Sequence, residues 1–422
     1  MKKYFMSVAA LAGMMSLAAC SSDDIVSPAD NDVQTIKIAV ASTGDKSTRS
    51  RDLNSEEPNQ NIENVAVVIR DKANTVVYQK VITDWQTASN IYTENGHGRE
   101  YTLKLEKDQR LNAGEYTITA VGYTAGDFKS NTIVDATKGN VAAGNFTAEV
   151  ADGKAAQEAF AGESSIKLLE DHAAINPSVT LHRQVAGYYG YFTSIPVEVN
   201  SKKVTNVRLV ARSKNTKLTY GNFNSNFTTT NSDVMYVVNG SEPATTKDAK
   251  FNGSADDDAY TLYNIKVDDW FTKGDTNNDG ILDEKDTNWT NALEGKGYKT
   301  YQPGTIFAGG FAVPFAATAA ATLELQLLDA SGEILKSWTV EMAAAQSAGQ
   351  DVEKAALPVA ETTQNFSFFR NHMYTLGKKV DNTDNKPGTT TPDQPEPLDK
   401  SQSMILRVND NWEVINRMTI GD

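Results

Sequence analysis

Leu111-Asn112-Ala113-Gly114-Glu115-Tyr116-Thr117-Ile118-Thr119-Ala120 decides the fold. A turn closed by Gly114 runs into alternating residues, which reads as a half-buried strand with Tyr116 and Ile118 inward. The same period of two recurs upstream in Tyr101, Leu103 and Leu105, and in a leading strand, Val33 to Ala41, where Ile36, Ile38 and Val40 alternate with Lys37 and Ala39. Val65, Val67 and Ile69 lead through Asp71-Lys72-Ala73-Asn74 into Val76, Val77 and Tyr78, a hairpin pattern. Downstream, strand patterns begin near Val179 and include Val207, Leu209 and Val210, then Leu323, Leu325 and Leu327, a turn at Asp329-Ala330-Ser331-Gly332, and Ile334 with Trp338 and Val340. Long helical periodicity is nearly absent. Short strands at this spacing predict a mainly β chain built of β-sandwiches rather than a parallel α/β sheet.

The strands fall into two blocks, residues 52–176 and 177–382, meeting at Asn176-Pro177. The alanine-rich stretches Ala155 to Leu169 and Ala343 to Ala356 read as short helices or loops. Ile306 to Ala321 is apolar, but Gly309, Gly310 and Pro314 interrupt it and it runs into the strand at Leu323, so a membrane span is not expected. Residues 383–400 carry Pro387, Pro392, Pro395 and Pro397 among Thr, Asp and Glu. So many missing backbone donors predict an extended, solvated tether. Beyond it, residues 401–422 hold one more strand, Met404-Ile405-Leu406-Arg407-Val408, then Trp412 and Val414.

The chain opens with Met1-Lys2-Lys3, an apolar run from Tyr4 to Met15, and Leu17-Ala18-Ala19-Cys20. A short basic start, an apolar run too short to span comfortably and small residues before a cut describe a secretory signal peptide, residues 1–19. Because the cut falls just before the only cysteine, the segment fits a bacterial lipobox, in which the Cys20 thiol is acylated and anchors the exported precursor. Ser21-Ser22-Asp23-Asp24 resembles the acidic export tag of surface lipoproteins in the Bacteroidetes. Removing residues 1–19 takes away Lys2 and Lys3 and leaves 38 basic against 54 acidic side chains, a formal charge of −16. Such a chain repels nucleic acid and anionic lipid. With one cysteine, an intramolecular disulfide is impossible, and the mature form is expected to have no thiol chemistry.

Asp275-Thr276-Asn277-Asn278-Asp279-Gly280-Ile281-Leu282-Asp283-Glu284-Lys285-Asp286 carries oxygen ligands at positions 1, 3, 5, 9 and 12 with glycine at 6. That is the spacing of an EF-hand loop. Asp275, Asn277, Asp279, Asp283 and Asp286 would supply side-chain oxygens to Ca2+ and Ile281 its carbonyl. Flanking helices are not evident, so the expectation is structural calcium stiffening an exposed insertion. Catalysis finds little support, and no enzyme is expected: His97, His172, His182 and His372 lie far apart, and no serine elbow, phosphate loop or His-Glu-x-x-His occurs.

The leading strand is followed by Ser42-Thr43-Gly44-Asp45-Lys46-Ser47-Thr48-Arg49-Ser50-Arg51-Asp52, which holds two arginines and no large apolar side chain. A stretch like this cannot be held in a core and should be open to a trypsin-like protease. With Phe369-Arg370-Asn371-His372-Met373-Tyr374, Val179-Thr180-Leu181-His182-Arg183-Gln184-Val185-Ala186 and Val408-Asn409-Asp410-Asn411-Trp412, the chain resembles the fimbrillin family, the major fimbrial subunits of Bacteroidales type V pili. The resemblance implies two transthyretin-like β-sandwich domains, with the strand from Val179 opening the second. It implies that an arginine-specific protease cuts after Arg49 or Arg51 and removes residues 20–51 with the first strand. Met404, Leu406 and Val408 of another copy would then fill the vacated groove as a donor strand by β-augmentation. The partners implied are other copies of the chain in a filament, anchor and tip subunits, and an unidentified surface ligand. Two rival readings are a tip or accessory subunit, which would lack a usable donor strand, and a surface glycan-binding lipoprotein presenting Trp270, Trp289 and Tyr301 to sugars.

Overall fold

The computed structural model describes residues 34–40, 62–91, 99–126, 128–142, 144–220, 237–251, 257–294, 301–317, 323–342, 367–377, 379, 393–399 and 404–409. The protein is mainly β. Its first sheet uses β1 (Gln34–Val40), β2 (Asn64–Asp71), β3 (Val76–Ile82), β4 (Asn90–Ile91), β5 (Arg99–Leu105) and β6 (Gly114–Tyr123). After two short strands, β7 (Ser130–Asn131) and β8 (Thr147–Glu149), come β9 (Phe160–Leu168) and β10 (Ser178–Arg183). The order across the sheet is β3-β2-β6-β9-β10-β1-β5-β4. The β2–β3 hairpin closes as its turn residues demand: Asp71 Oδ1 accepts the amides of Ala73 and Thr75, and Asn74 takes the left-handed region at φ 60°.

Strand β6 begins at Gly114, with the Tyr116 hydroxyl donating to the Asn112 carbonyl and Ile118 fully buried. The half-buried pattern is incomplete, however. Val65, Val67, Ile69, Ile118 and Ala120 face one core with Ile36, Ile38, Leu103 and Leu181. Ala66, Val68, Val121 and Ala161 face a second core, where Ile133, Phe146, Ala148 and Val150 cover the sheet from outside. Arg70 enters that layer with its charge paired to Glu163 at 3.2 Å and its guanidinium over the Phe146 ring.

The second large sheet is built from β11 (Ala186–Thr193), β12 (Asn206–Ala211), β15 (Ala249–Lys250), β16 (Asp258–Lys266), β17 (Thr305–Ala312), β18 (Leu323–Leu328), β19 (Ile334–Met342), β20 (Met373–Leu376) and β22 (Met404–Asn409). Between them lie β13 (Asn215–Thr219), β14 (Gly240–Pro243) and β21 (Glu396–Pro397). The order is β15-β16-β12-β18-β19-β22-β20-β11-β17, with β21 also beside β11. A small sheet, β14-β13-β8-β7, joins strands from both halves of the chain. The apolar run from Ile306 is strand β17, and a Cβ on Gly310 would lie 2.8 Å from the Tyr188 hydroxyl, so the glycine makes room for the β11 aromatics. No helix among the described residues is long and apolar enough to cross a membrane.

Three expectations need correction. The strand from Val179 does not open the second block: β10 pairs with β1 and β9 in the first sheet, and the second sheet begins at Ala186, so a boundary at Asn176-Pro177 falls one strand early. Ala155 to Leu169 is irregular only as far as Ala159 and then forms β9. Its small residues serve close packing, since a Cβ on Gly162 would lie 2.0 Å from the Thr180 carbonyl oxygen. The tether is not solvated throughout. Glu396 and Pro397 pair in parallel with Phe192 and Thr193, the Leu398 amide donates to the Thr193 carbonyl at 3.0 Å, and Leu398 is fully buried. A two-residue parallel pairing tolerates Pro397 because the following amide supplies the hydrogen bond.

Candidate functional site

Strand β1 lies inside the first sheet, between two neighbours. Lys37 to Val40 run parallel to Ser178 to Leu181 of β10, and Gln34 to Ala39 run antiparallel to Leu105 to Glu100 of β5. Ile36 and Ile38 are fully buried against the core that holds Leu103, Leu105, Val179 and Leu181. Burying each such side chain is worth about 1.5–3 kcal/mol. Withdrawing β1 would therefore leave an apolar slot flanked by two strand edges, the arrangement that captures an added strand.

The slot has a polar end that sequence reading missed. Gln34 is fully buried. Its Nε2 donates to the carbonyls of Leu111 at 3.0 Å and Ala173 at 2.9 Å, while its Oε1 accepts the Leu111 amide at 2.7 Å. The neighbouring Thr35 hydroxyl donates to the Ile175 carbonyl at 3.2 Å. A signal was available: Gln34 has the same parity as Ile36 and Ile38, so an inward-facing strand puts it in the core. Cys20, Arg49 and Arg51 lie outside the described residues, as do His97 and the side chain of Val40.

The C-terminal strand is already in use. Strand β22 lies between β19, parallel over Met404 to Leu406, and β20, antiparallel over Arg407 to Asn409. It is thus an interior strand of its own second sheet; the side chains of Met404, Leu406 and Val408 lie outside the described residues. Just ahead of it the chain is stapled down by a buried ion pair. Lys379 Nζ stands 2.8 Å from Asp393 Oδ2, both side chains nearly inaccessible, and the Tyr191 hydroxyl donates to the same oxygen at 3.1 Å. Burial pushes the Tyr191 hydroxyl well above its ordinary pKa, so it stays a donor.

In the candidate calcium loop, the turns form as the spacing requires. Asp275 accepts the amides of Asn278 and Gly280, Asn277 that of Asp279, Asp279 that of Ile281, and Asp283 that of Lys285. Asp286 is buried, and its two oxygens accept the amides of Thr276 and Asp283. Lys285 Nζ lies 3.3 Å from Asp279 and 3.2 Å from Asp283. Among the described residues, no group of three or more His, Cys, Asp or Glu side chains is arranged to hold a metal ion. The oxygen donors suit calcium in kind, but here they cap their own loop and an ammonium.

Two of the aromatic trio are buried and the third is half-buried. Trp270 and Tyr301 are buried with their rings edge to face at 5.5 Å, and Trp289 packs against them with its indole N–H donating to the Thr305 carbonyl at 2.7 Å. Trp270 and Tyr301 belong to the core, where Tyr191 and Phe307 pack on Tyr301. His372 is buried, His182 half-buried and His172 exposed on separate elements, and no metal-holding group among the described residues includes them.

No family model and no curated protein matches the chain. Solved structures do. The chain is similar to a fimbrial assembly protein from Parabacteroides distasonis at 15% identity, with 82% of this chain and 92% of that one covered and a TM-score of 0.35. It is similar to the fimbrial anchor protein Mfa2 from Porphyromonas gingivalis at 12% identity, covering 85% and 94%, with a TM-score of 0.37. It is also similar to a candidate polysaccharide-binding protein from Bacteroides thetaiotaomicron at 10% identity, covering 82% and 90%, with a TM-score of 0.39.

Proposed function

We propose that the protein is a structural subunit of the shaft of surface fimbriae, exported as a lipoprotein acylated at Cys20 and polymerised by protease-triggered strand exchange to support adhesion. The observation that carries this reading is strand β1: an N-terminal strand inlaid between β10 and β5 and followed by a polar segment with Arg49 and Arg51. Cutting that segment severs β1 from the rest of the chain. Strand β1 then leaves, and a neighbour's C-terminal strand replaces it. The exchange favours the slot, because β1 is matched over Lys37 to Val40 on one side and over Gln34 to Ala39 on the other, whereas β22 is matched to each home neighbour over half its length. A strand handed from one copy to the next is a heterologous contact that does not close on itself, so a filament follows. Structural calcium at Asp275 to Asp286 belongs to the same proposal, supported by the ligand spacing.

The test is brief trypsin treatment of soluble protein, with N-terminal sequencing, unboiled gels and electron microscopy. A first cut after Arg49 or Arg51 followed by ladders and filaments, lost on deletion of residues 399–422, is expected. A clean cut that leaves only monomers would overturn the shaft assignment.

A further inference from the structure

Two segments at opposite ends of the chain spell the same pattern. Strand β1 reads Gln34-Thr35-Ile36-Lys37-Ile38-Ala39-Val40, and the C-terminal segment reads Gln402-Ser403-Met404-Ile405-Leu406-Arg407-Val408. Position by position these are amide, hydroxyl, apolar, variable, apolar, variable, valine. We propose that residues 402–408 are a register-matched copy of β1, and that Gln402 of one subunit takes Gln34's place in the slot of the next. This rests on the strand-exchange reading above and goes beyond it by naming the register and the residue that sets it.

The chemistry of the slot explains why a glutamine is required. Where Gln34 sits, the protein presents one amide, that of Leu111, and two carbonyls, those of Leu111 and Ala173. A primary amide of this length supplies one acceptor and two donors together. A carboxylate would face two carbonyls, asparagine is one methylene too short, and an aliphatic residue leaves the Leu111 amide and the partly buried Ala173 carbonyl unpaired, while the Leu111 carbonyl keeps the His172 amide. In the matched register Met404, Leu406 and Val408 occupy the positions of Ile36, Ile38 and Val40, and the Ser403 hydroxyl replaces that of Thr35 beside Ile175. A slip of one residue turns every apolar side chain outward. A slip of two drives an apolar side chain against the polar end.

The reverse face matches in charge rather than in size, since Ala39 is only 7% exposed and its counterpart has to extend past its neighbours to reach solvent. Glu100, paired with Lys37 at 3.2 Å in the uncut chain, is the register mate of Ala39, whose counterpart is Arg407. The slot thus exchanges one cation for another.

The test uses the full soluble chain, cut and allowed to assemble. Cys20 is the only cysteine and leaves with the N-terminal segment, so introduced pairs report cleanly. Lys37 is matched to Thr102 and Thr35 to Lys104, so Ile405→Cys with Thr102→Cys should give an intersubunit disulfide ladder, and Ile405→Cys with Lys104→Cys should not. Ladders from Gln402→Leu should dissociate in mild urea about tenfold faster or more than the parent's, with the melting temperature of the uncut monomer as the folding control. Cross-linking at 104 instead of 102, or Gln402→Leu ladders as durable as the parent's, overturns the register. Parent ladders that persist without residues 399–422 refute strand donation itself, a separate failure.

Discussion

Replacing Gln34 by leucine in the uncut chain keeps the side-chain bulk and removes three hydrogen bonds, to the Leu111 amide and to the Leu111 and Ala173 carbonyls. Two groups lose their partner, the Leu111 amide and the Ala173 carbonyl, because the Leu111 carbonyl still accepts the His172 amide; each costs about 1–3 kcal/mol, with the low end for the partly buried Ala173 carbonyl. The added apolar burial returns about 1 kcal/mol. The net loss is about 1–3 kcal/mol, which for a domain of this size lowers the melting temperature by about 3–9 °C. Differential scanning calorimetry of the uncut protein reads this directly. Filaments grown from the cut protein should match the parent's, because in the proposed assembly the segment bearing the substitution is gone. A melting temperature within about 1 °C of the parent's would refute the clamp, and weakened filaments would refute the removal of β1.

Asp393→Ala leaves the Lys379 ammonium buried without its carboxylate and should cost about 3–5 kcal/mol in urea unfolding, most of it recovered by Lys379→Met with Asp393→Leu; equal stability of the single and double variants would contradict the staple. Burial holds the His372 imidazole down to about 4, below its ordinary 6.5. Between those values the unfolded chain binds a proton that the folded chain refuses. This contribution is therefore intact at pH 7 and shrinks as pH falls from about 6.5 towards 4, by at most about 3 kcal/mol. His372→Phe should flatten that part of the pH–stability curve, and an unchanged slope would show the histidine is not the cause. Millimolar calcium should raise the melting temperature, and more so in Lys285→Met, where no ammonium bridges Asp279 and Asp283; identical melting in calcium and EDTA for both proteins would remove the metal from the loop.

Alternation alone located β1, the β2–β3 hairpin, β5, β6, β12, β18 and β19, because a residue's parity in a strand determines which face it takes. It could not show that the reverse face of β2 and β6 is also covered, since that depends on where Ile133 and Phe146 return from elsewhere in the chain. Gly162 carries no strand signal of its own; it is small because β10 passes close by. Trp270 and Tyr301 look the same in sequence whether they serve a sugar or a core, and Tyr191 and Phe307, far away in sequence, decide for the core.

By itself the sequence determined a mainly β chain, the positions of most long strands, and the likeness between its first and last strands. Those are properties of local pattern. Only the tertiary structure decided that β1 lies inside a sheet, that Gln34 meets the polar groups of Leu111 and Ala173, that Lys379 and Asp393 fasten the segment ahead of the last strand, and that this strand rests at home between β19 and β20. Each joins residues far apart along the chain, and which distant strand edge meets which depends on the packing of the whole molecule.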